Sequence, residues 1–241
     1  MAMLGVQSAS RSSATPVPTT VPSRPTAPPS AQQTKGAAST RASARRTLNS
    51  TALHRTPFAI LGVTTRDDRR RIVELAEEKS LELDHDVCQK ARSDLTNPRT
   101  RLNAEIAWLP GVSPRKASQL VESLLHGPMA VREESGLPAL AHLNLLAAAF
   151  EAVDGGHDAG DLAGFIQEVA YLAEDLDPEH ILRDINEDRA VSGFPEVRAL
   201  DQIEAELAER KRYYRSAIKD ALNMIRDIFR IHGNARRGLY D

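Results

Sequence analysis

The stretch Leu95–Leu102, LTNPRTRL, lies in a region whose apolar residues otherwise recur at the spacing of an α-helix. An Asn-Pro step and two arginines, two residues apart, interrupt that spacing. Pro98 can end one helix and begin the next, because proline lacks the backbone N–H that stays unpaired at the first position of a helix. LTNPRTRL therefore predicts a boundary between two helices.

The residues before this boundary predict a hairpin of two antiparallel helices, residues 67–83 and 87–95, joined by the turn Asp84-His85-Asp86. Two such helices pack when a short connection brings their apolar faces together. The residues expected to face each other are Ile72, Leu75 and Leu83 from the first helix and Val87, Ala91 and Leu95 from the second.

A short helix comes before the hairpin, with Thr56 as its cap, Pro57 at its first position and Gly62 at its end. From this helix to Leu109 the chain resembles a J-domain. The matching elements are a first helix that ends in Leu-Gly-Val, a charged second helix, a turn, a third helix that ends in leucine, proline and a basic residue, and a last short helix. The resemblance implies a J-domain-like helical module at residues 56–112.

J-domains stimulate the ATPase of a heat-shock chaperone through a His-Pro-Asp loop between their second and third helices. Here that place holds Asp84-His85-Asp86, without a proline. The resemblance therefore implies an adaptor that binds a heat-shock chaperone ATPase or a client protein without normal ATPase stimulation. The implied partner-binding residues are Arg69, Arg70 and Arg71 on the second helix, with His85 and Asp86 in the turn.

The rest of the chain also predicts helices, so the expected fold class is all-α. Aromatic residues make up only 4% of the sequence, and alternating runs of β-branched residues are scarce. Residues 113–194 predict a helical domain, in which Ser113 caps the first helix and residues 137–153 form the most apolar one. DGGHDAGD, residues 154–161, predicts a flexible loop, and Asp177-Pro178 starts another helix.

Residues 195–241 predict a long C-terminal helix, from Pro195 to about Ile231, and a short tail. Two interpretations are open: the helix self-associates through residues 195–231, or it packs on its own domain. Arg210 is a charged defect in the expected seam. In a heptad pattern that seam consists of Leu200, Ile203, Leu207, Arg210, Tyr214, Ala217, Ala221, Met224 and Ile228.

Residues 1–55 are rich in Ser, Thr, Pro and Ala and predict a disordered basic tail. Residues 1–56 contain seven Lys or Arg and no Asp or Glu, which leaves 24 basic against 33 acidic residues in the remainder. The alternatives to a plain tail are a targeting peptide and a basic ligand-binding arm. The prolines at residues 16–29 argue against targeting, because they prevent an amphipathic helix.

The sequence lacks a Gly-rich phosphate loop, a nucleophile elbow and zinc-finger spacing, so we expect neither an enzyme nor a cofactor. DHDVC, residues 84–88, suggests a metal site, but a helix cap is favoured because these residues span a turn and a helix start. RKRYYR, residues 210–215, follows three glutamates and predicts a solvated helix face, so nucleic-acid binding there is not expected. Association with nucleic acid through the basic tail is a less favoured alternative function.

Cellular context follows from two further features. No apolar stretch approaches the roughly 18 residues that a membrane span needs, so no membrane partner is expected. The single cysteine, Cys88, excludes an internal disulfide and fits a reducing compartment. Together they predict a soluble cytoplasmic protein.

Overall fold

A computed structural model describes residues 51–152 and 158–237, except for the side chains of residues 159, 224 and 228–237. This part of the chain is all-α, with nine α-helices, two 3₁₀ helices and no β-strand, which confirms the predicted fold class. The 3₁₀ helices are Leu53–Arg55 and Pro128–Glu133. The α-helices are α1 Pro57–Leu61, α2 Arg69–Lys79, α3 His85–Thr96, α4 Pro98–Ile106, α5 Pro114–His126, α6 Ala139–Ala152, α7 Ala159–Glu174, α8 Pro178–Ser192 and α9 Leu200–Arg237.

The predicted tail at residues 1–55 falls largely outside the described residues, and so do residues 154–157 of the loop predicted at residues 154–161. Residues 159–161 are not part of a loop, because α7 begins at Ala159, after the cap residue Asp158. The described structure starts before the predicted end of the tail, because Leu53 is fully buried in the 3₁₀ helix at Leu53–Arg55. No helix within the described ranges is long and apolar enough to cross a membrane.

The predicted helical hairpin is present as α2 and α3. Arg69, at the start of α2, donates a hydrogen bond to the backbone carbonyl of Thr96, at the end of α3, so the two helices are antiparallel. The expected boundaries of the short helix α1 are confirmed: the Thr56 side chain accepts from the Ala59 N–H, and Gly62 ends the helix with φ 67°. LTNPRTRL is also a helix boundary, where Asn97 caps α4 and Pro98 takes its first position.

The expected contact between Leu83 and Val87 is wrong. Helix α2 ends at Lys79, so Leu83 lies in the connecting turn, and both side chains are exposed. The hairpin is closed instead by residues that lie within the two helices themselves. The buried residues are Ile72 and Ala76 from α2 and Cys88, Ala91 and Leu95 from α3.

One hydrophobic core extends from Leu53 to Ala221, across all three segments expected from the sequence. Helix α6 is buried along nearly its whole length, from Leu140 to Phe150, as its apolar composition predicted. Helix α9 packs against α4, α6, α7 and α8. The hairpin is therefore joined to the helices that follow it by apolar contacts.

The terminal helix begins at Leu200 and not at Pro195 as predicted. The side-chain amide of Asn186, in α8, holds Val197 out of a helix: its Nδ2 donates to the Val197 carbonyl at 2.9 Å, and its Oδ1 accepts from the Val197 N–H at 2.8 Å. The seam residues from Ile203 to Ala221 pack within the chain's own core. Of the two interpretations, packing on its own domain is the one the structure shows over this stretch.

Candidate functional site at the tip of the helical hairpin

The turn between α2 and α3 is shaped by Asp84. Its carboxylate accepts hydrogen bonds from the backbone N–H groups of Asp86 at 2.9 Å and Val87 at 3.1 Å, which confirms that Asp84 caps α3. Cys88 is fully buried, whereas His85 and Asp86 are exposed in the first turn of the helix. The side chains of DHDVC therefore point in different directions and do not converge on one ion.

The tip of the hairpin exposes three apolar side chains. Leu81 is 88% exposed, Leu83 is 47% exposed and Val87 is 44% exposed. Leu81 and Leu83 lie in the turn after α2, and Val87 lies in the first turn of α3, beside His85 and Asp86. We call Leu81, Leu83, His85, Asp86 and Val87 the hairpin tip. It combines apolar side chains with a histidine and a carboxylate, all of them open to solvent.

The three arginines predicted to share this site lie at the other end of α2. The helical rise from Arg71 to Lys79 is about 12 Å, and the turn adds to that separation. Local contacts also occupy the arginines. Arg69 bonds the Thr96 carbonyl, Arg70 donates to Glu74 at 2.8 Å, and Arg71 lies 3.7 Å from the same carboxylate. The structure thus brings His85 and Asp86 together and leaves the arginines apart from them.

Sequence reasoning missed a buried cluster of charges centred on Arg101, inside LTNPRTRL. Arg101 has no solvent exposure. Its Nε donates to Glu105 at 2.7 Å, and its Nη2 donates to the backbone carbonyl of Thr65 at 2.9 Å. The guanidinium lies 3.6 Å from the ring centroid of Phe194 and 5.7 Å from that of Phe58. Burial lowers the pKa of Arg101, and the adjacent Glu105 carboxylate opposes that shift.

The cluster continues into α8 through two carboxylates. The second oxygen of Glu105 accepts from Arg189 Nε at 2.9 Å and Nη2 at 2.7 Å. Asp188 accepts from the Thr65 hydroxyl at 2.6 Å, from Arg66 Nε at 2.8 Å and from the Gly111 N–H at 2.8 Å. Because the carboxylate oxygens are already bonded, the cluster leaves no open position for a substrate. The cluster joins α4 and the connection between α1 and α2 to α8.

The i, i+4 spacing of Arg101 and Glu105 within the apolar stretch RLNAEIAWL could have indicated this cluster. A charged pair one turn apart on the buried face of a helix needs partners from elsewhere in the chain. The sequence does not say which residues those partners are.

RKRYYR forms the predicted solvated face only in part: Arg212 and Arg215 are exposed, whereas Arg210 is half-buried and Tyr214 is buried. Asn144 Oδ1, in the buried helix α6, accepts from Arg210 Nε and from the Tyr214 hydroxyl, each at 2.7 Å. Arg210 therefore supplies a hydrogen-bond donor to the buried side-chain amide of Asn144 and is not a defect in the seam. Burial raises the pKa of Tyr214 to about 12. The guanidinium of Arg210 also lies 4.0 Å from the Tyr213 ring centroid.

No protein-family model, curated protein or solved structure matches this chain. The J-like assignment stays a prediction. The functional argument therefore starts from the residues themselves, above all from the contrast between the exposed hairpin tip and the closed charge cluster.

Proposed function

We propose that this chain is a J-like adaptor that binds a heat-shock chaperone ATPase or a client protein through the hairpin tip. The observation that carries the proposal is the exposure of Leu81, Leu83 and Val87 together on one short connection. Apolar side chains grouped on a surface and rimmed by polar residues are typical of protein-binding sites.

Burial of these side chains by a partner supplies a driving force for binding. A fully buried leucine or valine contributes roughly 1.5–3 kcal/mol, so three of them add up to a useful share of a micromolar interaction. In the folded chain none of the three side chains is fully buried, because Leu81 and Leu83 lie in the turn after α2 and Val87 lies in the first turn of α3. The polar rim of His85 and Asp86 restricts which partners fit.

The adaptor is proposed to bind without normal ATPase stimulation. The place of the His-Pro-Asp loop holds Asp84-His85-Asp86, and the Asp84 carboxylate is already used to cap α3. Both hydrogen bonds go to one oxygen, Oδ1, so the cap fixes the orientation of this carboxylate. The residues that remain for recognition are the exposed His85 and Asp86 and the apolar side chains around them.

The test uses the full chain and a heat-shock chaperone ATPase, with affinity measured by calorimetry. The double variant Leu81→Ser/Leu83→Ser is expected to weaken binding at least tenfold, because it removes most of the exposed apolar surface of the tip. Val191→Ser changes an exposed apolar residue on α8 and serves as the matched control. Equal effects of both variants, or no binding by the wild-type chain, would contradict the proposal.

ATPase turnover is the second readout. The full chain and its His85→Gln variant are both expected to leave the hydrolysis rate of the chaperone close to its basal value. A clear stimulation that His85→Gln abolishes would show that the turn acts as a trigger after all.

A second candidate function is a scaffold that self-associates through the terminal helix. The observation in its favour is Leu222, which is exposed on α9 just beyond the buried stretch that ends at Ala221. Residues from Ile203 to Ala221 are already used within the chain, so only the later part of the helix is available for pairing. Sedimentation of the wild type and of Leu222→Glu tests this alternative: a monomer in both cases would exclude it.

A further inference from the structure

A groove lies beside the point where the described chain begins. Its volume is about 590 Å³, and it is bounded by Ala52, by the end of α6 and by α9. The apolar side of the groove consists of Phe150, Ala217 and Ala221, which belong to the hydrophobic core and are each more than 90% buried. The groove therefore gives a further apolar side chain access to the edge of that core.

The carboxylate of Glu151 holds the start of the described chain against this groove. Its Oε2 accepts from the Ala52 N–H at 2.5 Å and lies 3.5 Å from Arg55 Nη2, and its Oε1 accepts from the Tyr213 hydroxyl at 2.9 Å. All four of these residues line the groove. Because consecutive Cα atoms are about 4 Å apart, the residues that precede Thr51 leave the described structure next to the groove.

The groove carries one unpaired carboxylate. Its charged lining consists of Arg55, Glu151 and Asp220, an excess of one negative charge. Arg55 pairs with Glu151, whereas Asp220 forms no hydrogen bond or ion pair with any residue that the structure describes. Asp220 is exposed on α9. A matching occupant therefore has an apolar side chain and a cation close to each other.

The sequence just before Thr51 has both features. Residues 41–50, RASARRTLNS, contain three arginines and no acidic residue. Leu48 is the only large apolar residue of this segment, and Arg45 and Arg46 come shortly before it. An extended chain covers the three residues from Leu48 to Thr51 in about 10 Å, so the leucine can reach the groove from the point where the described chain begins.

We propose that residues 45–48 of the chain dock in this groove, with the Leu48 side chain on its apolar side and the guanidinium of Arg46 opposite Asp220. Covalent attachment favours this occupant over a separate partner, because a tethered segment is present at an effective concentration on the order of millimolar. Docking would cover the apolar side of the groove, next to the exposed Leu222, and so limit the surface of α9 that a second copy could contact. The groove is separate from the hairpin tip, so the proposal does not depend on the function assigned to the tip.

Limited trypsin digestion of the wild-type full chain tests whether the segment is held. Cleavage after Arg46 is expected to be at least tenfold slower than cleavage after Lys35, which lies outside the proposed segment. Mass spectrometry of the early products gives both rates, and each rate is normalised to that of the same bond in a synthetic peptide of residues 30–50, which lacks the groove. Equal normalised rates would overturn the proposal.

A disulfide crosslink in the full chain tests where the segment docks. Asn49→Cys/Ser216→Cys places one thiol beside Leu48 and the other in the groove, while the native Cys88 is fully buried. Crosslinking within one chain is expected to be at least tenfold faster than in Asn49→Cys/Glu204→Cys, whose second thiol is exposed on α9 outside the groove. Equal rates would overturn the proposal. Crosslinks that join two chains would also overturn it, because they would assign the groove to a second copy.

Two substitutions added to Asn49→Cys/Ser216→Cys separate the apolar contact from the charge. Leu48→Ser is expected to slow the crosslink at least tenfold, because it removes the side chain that fills the apolar side of the groove. Asp220→Arg should slow it roughly threefold, the effect expected for an exposed ion pair. The matched control is Asp201→Arg, which reverses another exposed charge on α9 and should leave the rate unchanged. An unchanged rate in Leu48→Ser or Asp220→Arg would overturn the contact proposed for that side chain.

Discussion

Arg99 and Arg101 are two residues apart on α4 and have opposite environments. Successive residues of a helix are rotated by about 100°, so a spacing of two places side chains on nearly opposite faces. Arg99 is accordingly exposed to solvent, and Arg101 enters the core between Phe58 and Phe194. The same charged residue type therefore serves two different roles within one turn of the helix.

The buried charge cluster predicts a large effect for the loss of its central carboxylate. Glu105→Ala would leave Arg101 and Arg189 buried without their shared counter-charge, which is expected to lower the free energy of unfolding by about 3–5 kcal/mol. Urea unfolding followed by circular dichroism measures this change.

Glu74→Ala is the control for Glu105→Ala, because it removes an exposed carboxylate that pairs with Arg70 and Arg71. Its expected effect is below about 0.5 kcal/mol. Similar losses in the two variants would mean that the buried cluster does not stabilise the fold.

His54 links the start of the described chain to α5. Its Nε2 lies 3.1 Å from the Val121 carbonyl and must donate, so Nδ1 is the acceptor for the Thr51 N–H at 3.3 Å and the Thr51 hydroxyl at 2.9 Å. Protonation of Nδ1 would place a donor against the Thr51 N–H. The pKa of His54 is lowered from 6.5, first by burial and also by Arg55, while the Val121 carbonyl and Glu151 oppose the shift.

The lowered pKa of His54 predicts a loss of stability in mild acid. The unfolded chain takes up the proton first as the pH falls below 6.5, so the contribution of the neutral ring is complete above that value and is lost below it. The free energy of unfolding of the wild type should therefore fall between pH 7.5 and pH 5.5, and His54→Gln should reduce that fall. Burial also lowers the pKa of His142, so His54→Gln should retain the part of the pH dependence of stability that comes from His142. His126→Gln, an exposed change, should match the wild type, and an unaltered slope in His54→Gln would contradict the prediction.

At the scale of elements, the connection from α4 to α5 depends on Gly111. Its φ of 75° is in the left-handed region, and a Cβ there would lie 2.9 Å from Pro138 Cγ and 3.4 Å from Asp184 Cβ. Gly62 has a similar φ of 67° at the end of α1, but a Cβ would meet nothing within 4 Å. The two positions share the backbone conformation and differ in the space around it.

Gly111→Ala is expected to destabilise the chain by about 2–4 kcal/mol, from backbone strain and overpacking together. Gly62→Ala should lose only the strain, about 1–2 kcal/mol. Thermal or urea unfolding of both variants separates the two contributions. Equal losses would show that the contacts of Gly111 with Pro138 and Asp184 have no energetic effect.

Helix boundaries were the part of the fold that local sequence could predict. Thr56, Asp84 and Pro98 act within a few residues of themselves, so their roles follow from residue type and spacing. The start of α9 could not be predicted in this way, because it depends on Asn186, a residue of another helix that holds Val197 in place.

The candidate site was predicted only in part, because only some of its features depend on local sequence. His85 and Asp86 lie in a turn that the sequence located, and both are exposed there. Separation of the arginines from that turn follows from the length of α2 between them, and it would have been larger still in the longer helix that was predicted. Exposure of Leu83 and Val87 is a consequence of the same early end at Lys79, and periodicity alone had placed both residues in the core.

At the scale of the whole molecule, residues 56–112 are bonded to several residues from outside that segment. Phe194 covers Arg101, Arg189 neutralises Glu105, and Asp188 holds Thr65 and Arg66, all from outside residues 56–112. Ala52, just before the segment, donates its N–H to Glu151 in α6 at 2.5 Å. Residues 56–112 are thus held by later parts of the chain, and the residue before them, Ala52, is bonded to a later helix as well.

A fragment of residues 51–112 is therefore expected not to fold cooperatively. Its urea unfolding, followed by far-ultraviolet circular dichroism and by Trp108 fluorescence, should lack a sigmoidal transition that the full chain shows. Coincident cooperative transitions in the fragment would contradict this expectation.

The burial of Arg101 by later residues also determines when its native contacts can form during biosynthesis. Translation proceeds from the N-terminus at roughly 5–20 residues per second, so the hairpin leaves the ribosome roughly 5–20 seconds before Arg189 and Phe194 are available to it. Throughout that interval the arginine has only part of its native surroundings. Until the eighth helix has emerged, Arg101 and Glu105 of the nascent chain lack the contacts that Phe194 and Arg189 provide in the folded protein.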